Sequence, residues 1–185
     1  MDSKVRVLWF GWLMLAPFLW YTMMARRTFL IPSSGAMGIV LAAISMISGI
    51  LLAMWEGQHG TYHPVLWGAG TLLAVASVLL YESARNVVTS RGFSSVLSGA
   101  VPQAVCTAGP YRFMRHPVYT SYILAFLGLA VAFPGLPSAF VFVANLAFYV
   151  YAAADEERTI AHSEIGQAYA SYRQGAGMFF PRFGR

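Results

Sequence analysis

Between residues 109 and 119 the chain reads Gly109-Pro110-Tyr111-Arg112-Phe113-Met114-Arg115-His116-Pro117-Val118-Tyr119. Two arginines, a histidine and two tyrosines stand there, immediately before an apolar run. His116-Pro117 marks a helix start, because proline suits the first turn, where no amide donor is needed. Free amides at such a start favour an anion, either a carboxylate or a phosphate. Arg112, Arg115 and His116 add positive charge at the same mouth. A second cluster, Asp155-Glu156-Glu157-Arg158, follows the next pair of apolar runs. Adjacent acids at a membrane surface are unfavourable unless they meet cations. A polar ligand carrying both a carboxylate and a cation suits a pocket built from the two clusters. A plainer reading stays open beside it. In that reading the arginines anchor to lipid headgroups, the tyrosines sit in the interfacial belt, and the acids end their helix and pair with Arg158 or Arg112.

Other groups carry less. His59 and His63 are four apart, a spacing that binds metal on a helix, but they straddle Gly60, precede Pro64 and lack a third ligand, so no metal is assigned. Asn145 lies within an apolar run, where a polar side chain bonds a neighbouring helix or meets a substrate. Cys106 is the single cysteine, which excludes an internal disulfide. It reads as a small apolar filler, with no base evident beside it.

The elements that must position these groups are membrane helices. The chain has 185 residues, of which 58% are hydrophobic and only 10% charged, and its mean hydropathy is positive. Those values place it among integral membrane proteins, with no room for a separate soluble catalytic domain. The net charge of +5 comes without any Lys/Arg-rich run, which excludes nucleic acid as a partner. Lys4 and Arg6 before an apolar run resemble a signal peptide. No small-residue cleavage pattern follows, so this segment is read as a retained first span.

A spanning helix needs about 20 mostly apolar residues. The expected spans are Val7 to Met24, Gly35 to Trp55, Leu66 to Tyr81, Tyr119 to Phe133 and Ser138 to Ala154. Glu82 and Arg85 close the third and pair one turn apart. The turn Pro134-Gly135-Leu136-Pro137 makes the last two an antiparallel hairpin, which returns the acids to the face of the Arg-His cluster. With segment 82–118 and the C-terminus inside, Arg26, Arg27, Arg85, Arg91, Arg112, Arg115, Arg158, Arg173, Arg182 and Arg185 all lie inside, against Lys4 and Arg6 outside. That is a strong positive-inside bias. The loop Glu56 to Val65 belongs outside. Asp155 to Tyr172, with Ile160, Ile165, Tyr169 and Tyr172 among charges, reads as an amphipathic helix on the cytosolic face. The ending Phe179-Phe180-Pro181-Arg182-Phe183 suits the interface. The expected fold is thus an all-α integral membrane protein of about five transmembrane helices with a cytosolic amphipathic C-terminal helix. It forms a single domain, 1–185, with three N-terminal spans in 1–81 and the site in 82–185.

The sequence GPYRFMRHPVYTSY followed by EERTIAHSEIGQAYASYR resembles the isoprenylcysteine carboxyl methyltransferase family, whose relatives include phospholipid N-methyltransferases and bacterial thiol S-methyltransferases. The family pattern is Gly-x-Tyr, then Arg-His-Pro-x-Tyr, a Glu-Glu pair, and Phe-Gly-x-x-Tyr-x-x-Tyr. It is matched at Gly109-Pro110-Tyr111, at Arg115 to Tyr119, at Glu156-Glu157, and at Ile165-Gly166-Gln167-Ala168-Tyr169-Ala170-Ser171-Tyr172. The resemblance covers roughly residues 100 to 182. It implies an enzyme that uses S-adenosylmethionine, bound at the cytosolic end of the last helices. The residues it implies around that cofactor are Gln103, Ala104, Val105, Cys106, Tyr111, His116, Pro117, Val118, Tyr119 and Glu157, with Glu156 beside it. No residue is assigned as a catalytic base.

Three departures bear on the acceptor. Ser121 stands where the family often has Gly, which tightens backbone approach to the cofactor, and Ile165 replaces Phe. Ala153 replaces the Arg that prenylcysteine enzymes carry toward the substrate carboxylate. A small thiol, an amine or another lipid therefore becomes as plausible as a prenylcysteine carboxylate. The expected partners are membrane lipids and a lipophilic or small-molecule acceptor, and the compact size points to a prokaryotic cytoplasmic membrane. Two other classes compete: a membrane reductase using NADPH, since sterol reductases share a similar C-terminal region, and a non-enzymatic membrane scaffold.

Overall fold

A computed structural model of the chain describes residues 3–28, 36–59, 61, 63–91 and 104–183. All regular elements among them are helical: α1 (Ser3–Thr28), α2 (Ala36–His59), α3 (Pro64–Arg91), a short 3-10 turn (Gly109–Arg112), α4 (Pro117–Ala132), α5 (Leu136–Ala161) and α6 (Gly166–Gly175). Helices satisfy every backbone amide and carbonyl within one segment, which is what an apolar chain in lipid requires.

Among the described residues, Pro64–Thr89 of α3 and Leu136–Ala161 are long and apolar enough to cross a membrane, and Pro117–Ala132 is apolar but shorter. A helix of 26 residues is about 39 Å long, against a hydrocarbon core of about 30 Å. The apolar stretch of α5 ends at Ala154, so the turns beginning at Asp155 stand beyond it.

The α3–α4 pair is the tightest crossing. A Cβ added at Gly70 would lie 2.6 Å from the Gly128 carbonyl oxygen, and one at Gly128 would lie 2.9 Å from that of Gly70. The two glycines let the backbones touch, the usual device for helix association in lipid. α1 meets α2 in the same way, where a Cβ at Gly11 would lie 2.9 Å from the Ala53 carbonyl oxygen. Around these contacts packs an aromatic core that joins Phe18 and Tyr21 of α1, Tyr81 of α3, Tyr122 and Phe126 of α4, and Tyr149 of α5. Polar side chains inside it bond one another: Tyr21 with Ser77 at 2.7 Å, and Ser45 with both Asn145 at 2.5 Å and Tyr149 at 2.7 Å. Asn145 thus ties α5 to α2.

The α4–α5 hairpin forms as its turn residues require, with Ser138 Oγ donating to the Phe133 carbonyl at 2.5 Å. The C-terminal region differs from expectation. No continuous helix runs from Asp155 to Tyr172; α5 carries on to Ala161, turns, and α6 starts at Gly166. The Ile160 carbonyl accepts from both the amide and the hydroxyl of Ser163, at 3.0 and 2.6 Å. These bonds divert the chain from the helix ladder. Gly166 allows the sharp return, since a Cβ there would lie 2.5 Å from the Ala161 carbonyl oxygen. The amphipathic surface is α6 alone, burying Tyr169 and exposing Arg173.

Candidate functional site

The site forms where the 3-10 turn, the start of α4, the end of α5 and the chain after α6 converge. Gly109 opens the segment with φ +54°, a left-handed conformation that costs glycine little. A Cβ there would also lie 2.7 Å from Val87 Cγ2 of α3. Two amides, of Phe113 and Met114, bond back to the Pro110 carbonyl. The chain then extends for a few residues, and α4 begins at Pro117 with His116 as its N-cap, as the dipeptide predicts.

The hairpin brings both acids onto this segment. Arg115 Nε donates to Glu157 Oε1 at 2.7 Å, and His116 Nε2 lies 3.0 Å from the same oxygen. Arg173 adds a longer contact from α6, 3.5 Å from Glu157 Oε2, with a largely exposed side chain. Glu156 is held differently: the Tyr119 hydroxyl donates to its Oε2 at 2.9 Å, and His116 Nδ1 stands 3.9 Å away. The His116 and Tyr119 rings are nearly parallel, 8° apart with centroids at 5.5 Å.

These surroundings split two neighbouring carboxyls. Burial alone would push Glu157 up, but its hydrogen bonds from His116 and Arg115 outweigh burial and bring it down to about 2. Glu156 has no arginine. Burial pushes its carboxyl above the usual range, and the nearby His116 ring and the Tyr119 hydrogen bond offset only part of that. One acid is held below the ordinary carboxyl range and its neighbour above it. Environments that drive adjacent acids apart in this way mark functional sites.

Of the residues singled out by sequence, His116, Pro117, Val118, Tyr119, Glu156 and Glu157 meet at this junction. Tyr111 stands at its edge. Burial raises its hydroxyl, with Cys106 and Glu156 adding to the rise, and its carbonyl accepts from the Tyr172 hydroxyl at 2.6 Å. Val105 and Cys106 are half-buried and Ala104 is exposed. Gln103 lies outside the described residues. Arg112 is exposed over the Phe113 ring, with its guanidinium 5.6 Å from the centroid. Arg115 serves Glu157 rather than an open anion site. His59 stands at the far end of α2, stacked on Trp55 with ring centroids 4.0 Å apart.

Sequence reasoning missed two contributors: the Tyr172 hydroxyl bond to the turn, and the chain after Gly175, whose carbonyls receive the Arg115 side chain and the Arg115 and His116 amides. The tyrosine spacing hinted at the first. The second acts through its backbone and leaves no residue-type signal.

A family model described as phospholipid methyltransferase matches residues 65–163, just over half of the chain. The chain belongs to the phospholipid methyltransferase family. The matched region contains α3, the 3-10 turn, the α4–α5 hairpin and both acids, and it lies within the group of enzymes that the motifs resemble. Comparison with curated proteins and with solved structures returns no match.

Proposed function

We propose that this protein transfers a methyl group from S-adenosylmethionine to a lipophilic or small acceptor, a carboxylate, thiol or amine, at the cytosolic face of a prokaryotic inner membrane. The observation that carries this reading is the paired clamp on the hairpin, Glu157 with Arg115 and His116 and Glu156 with Tyr119, in a chain of a methyltransferase family.

The residues suit a zwitterionic cofactor. The start of α4 presents amides with no partner inside the helix, which favours a carboxylate. Glu156 gives one oxygen to Tyr119 and keeps lone pairs for an amine or a ribose hydroxyl. Gln103, Ala104, Val105, Cys106, Tyr111, His116, Pro117, Val118, Tyr119, Glu156 and Glu157 would hold it. When bound, S-adenosylmethionine supplies a methyl group activated by a sulfonium. Tyr119 and Tyr111 would offer ring faces to that cation, and Glu157 would keep His116 oriented. The aromatic core beneath would exclude water, which favours a transfer that disperses charge. The region 82–185 would carry the site, 1–81 would form three spans, and α4 and α5 would complete five.

Calorimetric titration of the protein in detergent with S-adenosylmethionine and S-adenosylhomocysteine tests this reading, with His116→Ala and Glu157→Ala alongside. Saturable binding to wild type is expected, weakened about tenfold or more in both folded variants. No binding to folded wild-type protein overturns the proposal, and a titration with NADPH follows.

A further inference from the structure

The family match ends at residue 163, yet the chain beyond α6 is bonded into the site at several points of its backbone. The Arg115 amide donates to the Gly177 carbonyl at 2.8 Å and the His116 amide to Met178 at 3.1 Å. In return, the Gly177 and Arg182 amides both donate to Phe113, each at 3.0 Å. Met114 and Gly177 form a parallel bridge. Side chains add to it: Arg115 Nη1 donates to the Ala176 carbonyl at 2.6 Å, and the Thr120 hydroxyl sits between the His116 carbonyl at 2.9 Å and the Phe179 carbonyl at 3.1 Å, joining the two. The Phe179 ring lies 6.0 Å from the His116 ring, and Phe183 packs on Phe113 at 5.1 Å.

The need for this arrangement is local. Arg115 and His116 lie between a 3-10 turn and a helix, so no helical ladder takes their amides, and buried amides must find partners. His116 also caps α4 without a side-chain bond to it. The backbone that aims its ring at Glu157 is therefore fixed from outside the matched region. Arg115 completes the link, since one guanidinium joins Glu157 of α5 to Ala176 of the tail.

We infer that residues 176–182 are a positioning clasp of the site: they hold the main chain of Arg115 and His116 so that both side chains meet Glu157. The functional unit accordingly extends about twenty residues past the family match. The predicted effect on the cofactor rests on the function proposed above, whereas the effect on His116 does not.

The test compares the full-length protein in detergent micelles with a truncation after Gly175 and with the pair Thr120→Val and Thr120→Ser. Two readouts are taken: calorimetric affinity for S-adenosylmethionine, and nitrogen-15 signals of the ring nitrogens of the four histidines. Truncation is expected to weaken binding about tenfold or more and to move the His116 ring signals toward those of a free imidazole. His59 and His63, at the opposite end of the bundle, should be unmoved. Thr120→Val, which removes the hydroxyl from both the His116 and the Phe179 carbonyls, should shift His116 in the same direction by less than the truncation, and Thr120→Ser should restore it. A truncated protein with wild-type His116 signals and affinity within about twofold overturns the clasp. Should the truncation not fold, unchanged His116 signals in Thr120→Val overturn it instead. Wild type that binds no S-adenosylmethionine sinks the cofactor reading, and the His116 signals still decide the clasp.

Discussion

At Glu156 and Glu157 two identical side chains, adjacent in sequence, are given opposite proton preferences. Glu157 shares one oxygen between Arg115 and His116, so its folded value of about 2 lies below its ordinary 4.5. A depressed carboxyl stabilises the fold above its unfolded value, and that contribution is lost as pH falls through the folded one. Glu157→Gln should therefore lower stability at neutral pH, by about 3 kcal/mol, because it leaves Arg115 buried without its anion. Thermal unfolding of both proteins in detergent should show that gap closing between about pH 4.5 and pH 2. A gap that does not change with pH would remove the ion-pair account. Glu156 has the opposite sign: its raised carboxyl stabilises the fold when protonated, and that contribution is lost as pH rises. A cation bound beside it would recover the loss, so affinity for S-adenosylmethionine should increase with pH in wild type. The dependence should flatten in Glu156→Gln, and calorimetry at a series of pH values above the ordinary carboxyl range measures it.

Helices were legible in the sequence where apolar length alone decides. The starts and ends of α2, α4 and the α4–α5 turn fall within a few residues of expectation, and Pro117 opens α4 where its ring requires. The break at residues 162–165 was not legible. It depends on Ser163 bonding Ile160 and on the closeness of Gly166 to Ala161, which are tertiary facts rather than periodicities. The same holds at the site. The residues with chemistry announced themselves by type, whereas the carbonyls that hold Arg115 and His116 did not. Gly70 and Gly128 are a third case, for glycine in an apolar run says nothing of which helix approaches it. Their contact makes a sharp prediction. Gly128→Ala adds one methyl group facing the Gly70 backbone at 2.9 Å, which no rotamer can relieve, so α3 and α4 must separate. The expected cost is about 1–3 kcal/mol, read as reduced resistance to unfolding in mixed micelles. The α3 end also supports Gly109 through Val87, so S-adenosylmethionine affinity should fall as well. Gly68→Ala, which meets nothing within 4 Å, is the control and should leave both unchanged.

Across the whole molecule, the acids, His116, the 3-10 turn and the tail gather at one end, while His59, Thr61 and His63 mark the other. Ten of the twelve basic residues fall on the site's side if five spans are drawn, so the charge rule orients that end toward the cytosol. The orientation has a functional consequence. S-adenosylmethionine carries a fixed sulfonium charge and does not cross a bilayer unaided, so under the proposed function the site must open on the compartment that supplies it, whereas a lipophilic acceptor would reach the same end laterally. The single native thiol makes this measurable. In a Cys106→Ser background, Thr61→Cys and Ser171→Cys each place one exposed thiol at opposite ends of the bundle. A membrane-impermeant maleimide should label Thr61→Cys in right-side-out vesicles and Ser171→Cys only in inverted ones. Reversed labelling would leave the clamp facing away from the cofactor proposed for it and would overturn the proposed orientation. Labelling of both thiols from one side would make the number of crossings between residues 61 and 171 even, so that α3, α4 and α5 could not all span.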